Sequence, residues 1–196
     1  MSSKEKWNDR YRAADKSPVQ AARVLSENLH LLPRSGIALD LACGRGGNAL
    51  LLAEQGLQVN AWDISNVVIS DLRQLAEDSN VMLAADVRDV ESEPPSAEQF
   101  DVIVVSYFLD RDSMPALAAA LKPGGLIFYQ TFTRERVSSR GPQRDAFRLA
   151  RQELLQQFSS LELVVYREEG LLGNTRVGCR DEVMYIGKKP LNHPQP

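Results

Sequence analysis

Between Ile37 and Gln55 the chain passes from a short apolar run, interrupted only by Asp40, through a glycine-rich turn into a stretch of helical spacing that Gly56 closes. A strand followed directly by a helix has to pack the two together, and repetition of the unit decides the fold class. Gln58 to Asp63 reads as a second strand, Ser65 to Asp78 as a helix with Val67, Val68, Leu72 and Leu75 on one face, and Val81 to Asp86 as a third strand. Phe100 to Phe108, with VIVV in its centre, is the continuous apolar run of a strand covered on both faces. Asp112 to Leu121 reads as a helix, Leu126 to Phe132 as a strand after a break at KPGG, and Arg148 to Phe158 as a last helix. Ahead of the first unit, Ser17 to Leu32 has helical spacing, with Ser17 as cap and Pro18 in the first turn. Alternation of this kind predicts a mostly parallel sheet with right-handed crossovers. Leu161 to Arg167 and Glu182 to Lys188 are strands with no helix between them, so at least one strand near that edge runs antiparallel.

A length of 196 residues, 43% hydrophobic and 25% charged, is that of one ordinary globular domain, and it excludes disorder and fibrous repeats. The longest stretch without charge, the 11 residues from Pro123 to Thr133, is too short for the ~20 apolar residues of a membrane helix. The opening MSSKEKWNDR lacks the apolar core of a secretory signal, and two cysteines point to the cytosol. Cys43, Cys179, His30 and His193 fall in no metal-ligand spacing, and no metal is expected. A net charge of −3 makes a nucleic-acid partner unfavourable, although six arginines stand between Arg134 and Arg151 against two acids.

In LDLACGRGGNA, residues 39 to 49, glycine lets the backbone turn tightly and approach a ligand, and the following helix offers free amide donors. By itself the pattern is weak, because Gly44, Gly46 and Ala49 also satisfy a dinucleotide-binding pattern. Asp40 discriminates: a carboxylate there repels a pyrophosphate and suits an ammonium group. Asp63, at the end of the second strand, is placed to accept hydrogen bonds from ribose hydroxyls, and Asp86, at the end of the third, from an adenine amine beside the Val87 backbone. A ligand with an adenosine and a free amine satisfies all three acids.

These residues resemble class I S-adenosylmethionine-dependent methyltransferases, with LDLACGRGGNA as motif I, ADVRD (85 to 89) as the adenine loop, FDVIVVSYF as the fourth strand and LKPGGLIFYQTF leading into the fifth. The resemblance implies a three-layer Rossmann-like α/β sandwich, its seven-stranded sheet in the order 3-2-1-4-5-7-6 with strand 7 antiparallel. It implies a single domain over residues 1–196, S-adenosyl-L-methionine as cofactor, and cofactor contacts from Asp40, Ala42, Gly44, Gly46, Asn48, Asp63, Ile64, Asp86, Val87 and Ser106. Ala42 stands where many members carry a glycine. KWNDRYR (6 to 12) resembles the opening of small tellurite-resistance and thiopurine-type enzymes, in which an N-terminal helical segment, here about residues 1–33, closes over the cofactor. That adds Arg10 and Tyr11 to the cofactor contacts and Trp7 to the acceptor side, although Trp7 and Tyr11 also have the spacing of a plain packing pair.

Methyl transfer needs a nucleophile aligned and shielded from water, and a thiolate or oxyanion needs only cations to orient it. Arg134 and Arg140 after the fifth strand, and Arg176 and Arg180 between the last two, are the candidates, with Tyr107 as a further contact; Tyr107 and Tyr129 also read as core residues. The histidine that accompanies such arginines in tellurite-resistance enzymes is absent. The expectation is therefore a small-molecule methyltransferase with an anionic or thiol-like acceptor, no membrane, and an oligomeric state left open. The alternatives are a methyltransferase acting on RNA or protein, a non-catalytic cofactor-binding module, and a nicotinamide-dependent enzyme.

Overall fold

A computed structural model describes residues 2–14, 17 and 19–191. Its strands are β1 (Ile37–Leu41), β2 (Gln58–Asp63), β3 (Leu83–Val87), β4 (Phe100–Ser106), β5 (Leu121–Phe132), β6 (Glu162–Arg167) and β7 (Glu182–Lys188). They form one sheet in the order β3-β2-β1-β4-β5-β7-β6 that the family resemblance implies; β7 is antiparallel to both neighbours and the other pairs are parallel, in keeping with the alternation and the helix-free final pair. The helices are α1 (Ser3–Ala13), α2 (Arg23–Ser26), α3 (Gly47–Glu54), α4 (Asn66–Asp78), α5 (Met114–Ala120) and α6 (Glu153–Gln157). Val24, Leu25, Ala49, Leu52, Ile69 and Leu72 cover one face of the sheet, while Met114, Leu117, Leu154 and Phe158 cover the other. That makes the three layers. Among the described residues no helix is long and apolar enough to cross a membrane, and no group of three or more His, Cys, Asp or Glu side chains could hold a metal ion. His193 lies outside the described residues.

Three local readings differ from the structure, each because a tertiary contact outweighs periodicity. The helix expected over 17–32 is reduced to α2 and a 3-10 turn at Leu29–Leu31. The chain before it is extended, with the Ala22 N–H donating to Asn48 Oδ1 at 2.8 Å and the Val19 and Gln20 carbonyls lying over Gly47. The last helix begins at Glu153 instead of Arg148, because Arg148 is wholly buried and donates to the carbonyls of Pro142, Thr133 and Arg140. KPGG continues β5 as an irregular stretch, held by the Gly124 N–H on the Lys189 carbonyl and by Lys122 Nζ on Asp101 at 2.7 Å.

Candidate active site

Strand order reverses between β1 and β4, so the connections leaving their carboxyl ends diverge to opposite faces and open a crevice. The β1–α3 turn lines it. Gly44 and Gly46 have positive φ (51° and 78°), and Gly47 has room for no side chain: a Cβ there would lie 2.7 Å from the Gln20 carbonyl oxygen and 2.8 Å from that of Val19. Ala42 also adopts a left-handed φ, 53°, which is the physical reason for a glycine at that place; alanine holds the same turn at a cost of about 1 kcal/mol.

Asp40 lies beneath the turn, completely buried, with Oδ1 accepting from Asn48 Nδ2 (3.2 Å) and Oδ2 from the Ala49 N–H (3.0 Å). Burial pushes its carboxyl up to about 7, against the pull of those two donors, and the neighbouring Asp63 adds to the rise. Both oxygens thus have protein partners, so Asp40 faces the underside of the loop and not the open crevice. Asn48 is the clamp of the switch point, donating to both Asp40 and Ser106 Oγ (2.9 Å) while its oxygen holds the extended segment at Ala22.

Asp63 is the hub on the β2 side. Its Oδ1 accepts from the Ser65 N–H (2.9 Å), and its Oδ2 from the Gly44 N–H (3.0 Å) and the Tyr11 hydroxyl (3.5 Å). Burial raises its carboxyl despite these donors, and burial together with the Asp63 charge raises the Tyr11 phenol. Tyr11 arrives on α1, which docks on the start of α4: Asn8 Nδ2 donates to Asn66 Oδ1 (2.9 Å), and Ser65 Oγ donates to Asn8 Oδ1 (2.7 Å). Trp7 stacks on Tyr11 at 5.8 Å, and the Arg10 guanidinium lies 4.9 Å from the Trp7 ring. Trp7 and Tyr11 are thus a packing pair on α1. Ile64 is half-buried between Asp63 and the Ser65 cap of α4. Asp86 stands apart from this group, its carboxylate 3.3 Å from Arg73 NH2 at the sheet edge, and the Val87 side chain is exposed beside Asp63 in register.

The β4–β5–β7 side carries a second polar group. Tyr107 has a left-handed φ of 57°, its N–H donates to the Gln130 carbonyl (2.8 Å), and it is 45% exposed, so it is not a core residue. Tyr129 is core, its hydroxyl donating to the Phe108 carbonyl at 2.9 Å. The Tyr107 hydroxyl lies 3.0 Å from Gln130 Nε2 and 3.3 Å from Glu182 Oε2, and Gln130 Nε2 also donates to Glu182 at 2.6 Å. Burial and the Glu182 charge push the Tyr107 phenol up to about 12. Arg140 reaches this group, with NH2 2.9 Å from Glu182 Oε1. Arg180 is committed to the Gly170, Val177 and Asn174 carbonyls of its own loop. Arg134 and Arg176 are exposed, and no hydrogen bond or ion pair holds their side chains among the described residues. Gln130 and Glu182 do not stand out in the sequence; a lone glutamine inside the apolar run IFYQTF is the one signal of them there.

Residues 38–125 match a family described as a methyltransferase domain. These residues are thus similar to a methyltransferase domain, and the chain as a whole has the fold of S-adenosylmethionine-dependent methyltransferases. It is 31% identical over 101 residues to a ubiquinone biosynthesis O-methyltransferase of Coxiella burnetii, covering 49% of this chain and 43% of that one. The chain thus spans less than half the length of that curated relative. TehB from Haemophilus influenzae has the same fold, with a TM-score of 0.70 at 22% identity over 93% of this chain and 67% of its own. A structure from echinomycin biosynthesis, described as converting a disulfide bond into a thioacetal group, gives a TM-score of 0.74 at 19% identity over 97% and 93%. The cofactor of this methyltransferase family is S-adenosylmethionine.

Proposed function

We propose that the chain binds S-adenosylmethionine in the β1–β4 crevice and methylates a small acceptor whose nucleophile is a thiol or a chemically similar group. The observation that carries the cofactor half is the Asp63 hub. A buried carboxylate already holding the glycine loop through the Gly44 N–H keeps acceptor capacity for ribose hydroxyls, at a turn where the atom nearest to a Cβ on Gly44 would be the Tyr11 hydroxyl at 3.1 Å. When bound, the cofactor supplies an electrophilic methyl group on a sulfonium. Asp63 holds the ribose, Gly44, Gly46 and the first turn of α3 receive the amino-acid end, and the negative field of Asp40 beneath the loop favours a cationic ligand above it. Ala42, Asn48 and Ser106 keep the floor of the crevice in register. Ile64 and the Val87 backbone border the adenine, with Asp86 turning from Arg73 to its amine. Trp7, Arg10 and Tyr11 cover the cofactor and exclude water.

On the acceptor side, Tyr107, Arg134, Arg140, Arg176 and Arg180 lie on segments that leave the carboxyl ends of β4, β5 and β6. Arg140 is neutralised by Glu182 and Arg180 is committed to carbonyls, which favours a thiol, neutral at rest, over a fixed anion. The two exposed groups, Arg134 and Arg176, support a second reading, an oxyanion such as tellurite or selenite. A cytosolic setting suits two buried free thiols, Cys43 and Cys179. The test is release of S-adenosylhomocysteine across thiols, phenols, selenite, tellurite and bulk RNA, with Asp63→Ala as blank. Turnover confined to thiols and related X–H acceptors is the expected result. Turnover of the oxyanions alone selects the second reading, and turnover of RNA alone overturns both.

A further inference from the structure

Glu182 is 5% exposed, and it is placed at the first residue of β7 beside the open end of the crevice. Its carboxylate is surrounded from every packed element: Arg140 from the loop after β5, Gln130 from β5, Tyr107 from the end of β4, the Arg23 charge from α2, and the Cys179 thiol from the preceding loop. A buried carboxylate is costly to desolvate, and an aromatic residue in the left-handed region is strained, as residues at functional sites often are. The Phe132 ring, 5.2 Å from that of Tyr107, and the Tyr107 N–H on Gln130 keep the phenol in this conformation.

The hydrogen bonds can be assigned by elimination. Gln130 Oε1 accepts from the Val24 N–H at 2.8 Å, so its amide nitrogen is the group that donates to Glu182 and to the Tyr107 oxygen. The Tyr107 oxygen accepts from Gln130, and its own hydrogen points to Glu182. These two bonds leave one lone pair on that oxygen, on a half-exposed side chain with the Arg140 guanidinium beside it. We propose that this lone pair receives the X–H group of the methyl acceptor, with Tyr107 as the catalytic residue that takes the proton and Glu182 as the positioning residue that receives the Tyr107 proton in turn. The inference rests on the thiol-type reading above and deepens it: the acceptor arrives protonated and neutral.

The proton movement balances. The acceptor X–H bond breaks and leaves its electron pair on X, a new O–H bond forms on Tyr107, the former Tyr107 O–H bond breaks, and a new O–H bond forms on Glu182. Once product has left, Glu182 returns its proton to the Tyr107 oxygen as Tyr107 passes its own to water in the emptied site, and the Arg140 charge 2.9 Å from Glu182 Oε1 favours the ionised carboxylate.

Tyr107→Phe and Glu182→Gln test this in the full chain. Calorimetry with the S-adenosylhomocysteine complex compares an aromatic thiol or phenol with its methyl ether, the methylated product, which is one methyl group larger and has no proton to donate. Wild type is expected to favour the X–H compound about tenfold or more, and both variants to lose that preference. In turnover, acceptors protonated at the assay pH are expected to lose about 10²-fold or more in kcat in either variant, with KM for the cofactor unchanged. Acceptors already ionised at that pH are expected to lose little. Equal loss for ionised and protonated acceptors, or an ether bound as well as its parent by wild type, overturns the proton route and leaves thiol methylation standing. A wild-type enzyme that binds cofactor and turns over no thiol or phenol overturns the acceptor reading itself. Tyr107 is half-exposed, so its variant keeps the test decisive if Glu182→Gln does not fold.

Discussion

Replacing Asp40 with asparagine separates the charge of the buried carboxylate from its hydrogen bonds. In the folded chain Asp40 is fully desolvated and its carboxyl is pushed up to about 7, whereas in the unfolded chain it titrates near 3.8. The folded-state value is the higher one, so the stabilising contribution is complete below about pH 4 and is lost as pH rises toward 7. Over that window the folded state holds one proton more than the unfolded state, and stability falls by about 1.4 kcal/mol per pH unit from this group. Between pH 5 and pH 8 the loss comes to about 3 kcal/mol, because it stops once the folded-state carboxyl is ionised. The Asp40→Asn variant would carry no such dependence. It would lose a constant amount instead, since an amide offers one oxygen where Asn48 Nδ2 and the Ala49 N–H now use two; leaving a buried donor unmatched costs about 1–3 kcal/mol. Denaturant unfolding of both proteins from pH 5 to pH 8.5 reads the difference, which includes the mutual repulsion of Asp40 and Asp63 along with the desolvation of Asp40. The variant should be the less stable protein at pH 5, and the gap should close or reverse by pH 8. A difference that does not change with pH means that Asp40 is ionised throughout, and the argument from burial is then wrong. Saturating S-adenosylhomocysteine, whose ammonium group would lie above the loop, should flatten the wild-type curve by holding Asp40 ionised to lower pH.

Asp63→Ala should weaken S-adenosylhomocysteine binding by about 1.5–3 kcal/mol, the scale of hydrogen bonds to a charged group, and unchanged affinity in calorimetry removes Asp63 from the site. Gly47→Ala should destabilise the fold by about 1–3 kcal/mol, because its Cβ meets two backbone oxygens that cannot rotate away; thermal unfolding equal to wild type would show the 19–22 segment does not sit on the glycine turn. Arg148→Met should be more damaging than any substitution at exposed Arg144, since it leaves the carbonyls of Thr133, Pro142 and Arg140 without their donor. A melting temperature within a degree or two of wild type for Arg148→Met would refute the anchoring role.

Much of the molecule was written in short-range patterns. Strand β2 and helix α4 follow from period and from the Ser65 cap, and an antiparallel strand near one edge follows from the helix-free β6–β7 pair, while the order of the sheet rests on the family resemblance. Asp40, Gly44 and Gly46 were legible for the same reason, their spacing about the end of β1, and Asp63 because it closes the next strand. The arginine run was misleading as a charge count. Arg148 belongs to the core, Arg140 answers Glu182, and Arg136 pairs with Asp145, leaving few of the charges available to a ligand.

What only the tertiary structure decided is the set of contacts that no local pattern encodes. Gln130 meets Glu182 across 52 residues and the Val24 N–H across 106, through an antiparallel β5–β7 register that sets Phe132 opposite Glu182. Asn8 meets Ser65 across 57 residues and thereby brings Tyr11 to Asp63. Periodicity states which face of an element is apolar, and turn residues state where it stops. It is the packing of one element on another that determines whether a buried glutamine, a buried glutamate and a strained tyrosine become one polar site, because each group is tolerable inside the protein only when the others supply its hydrogen bonds.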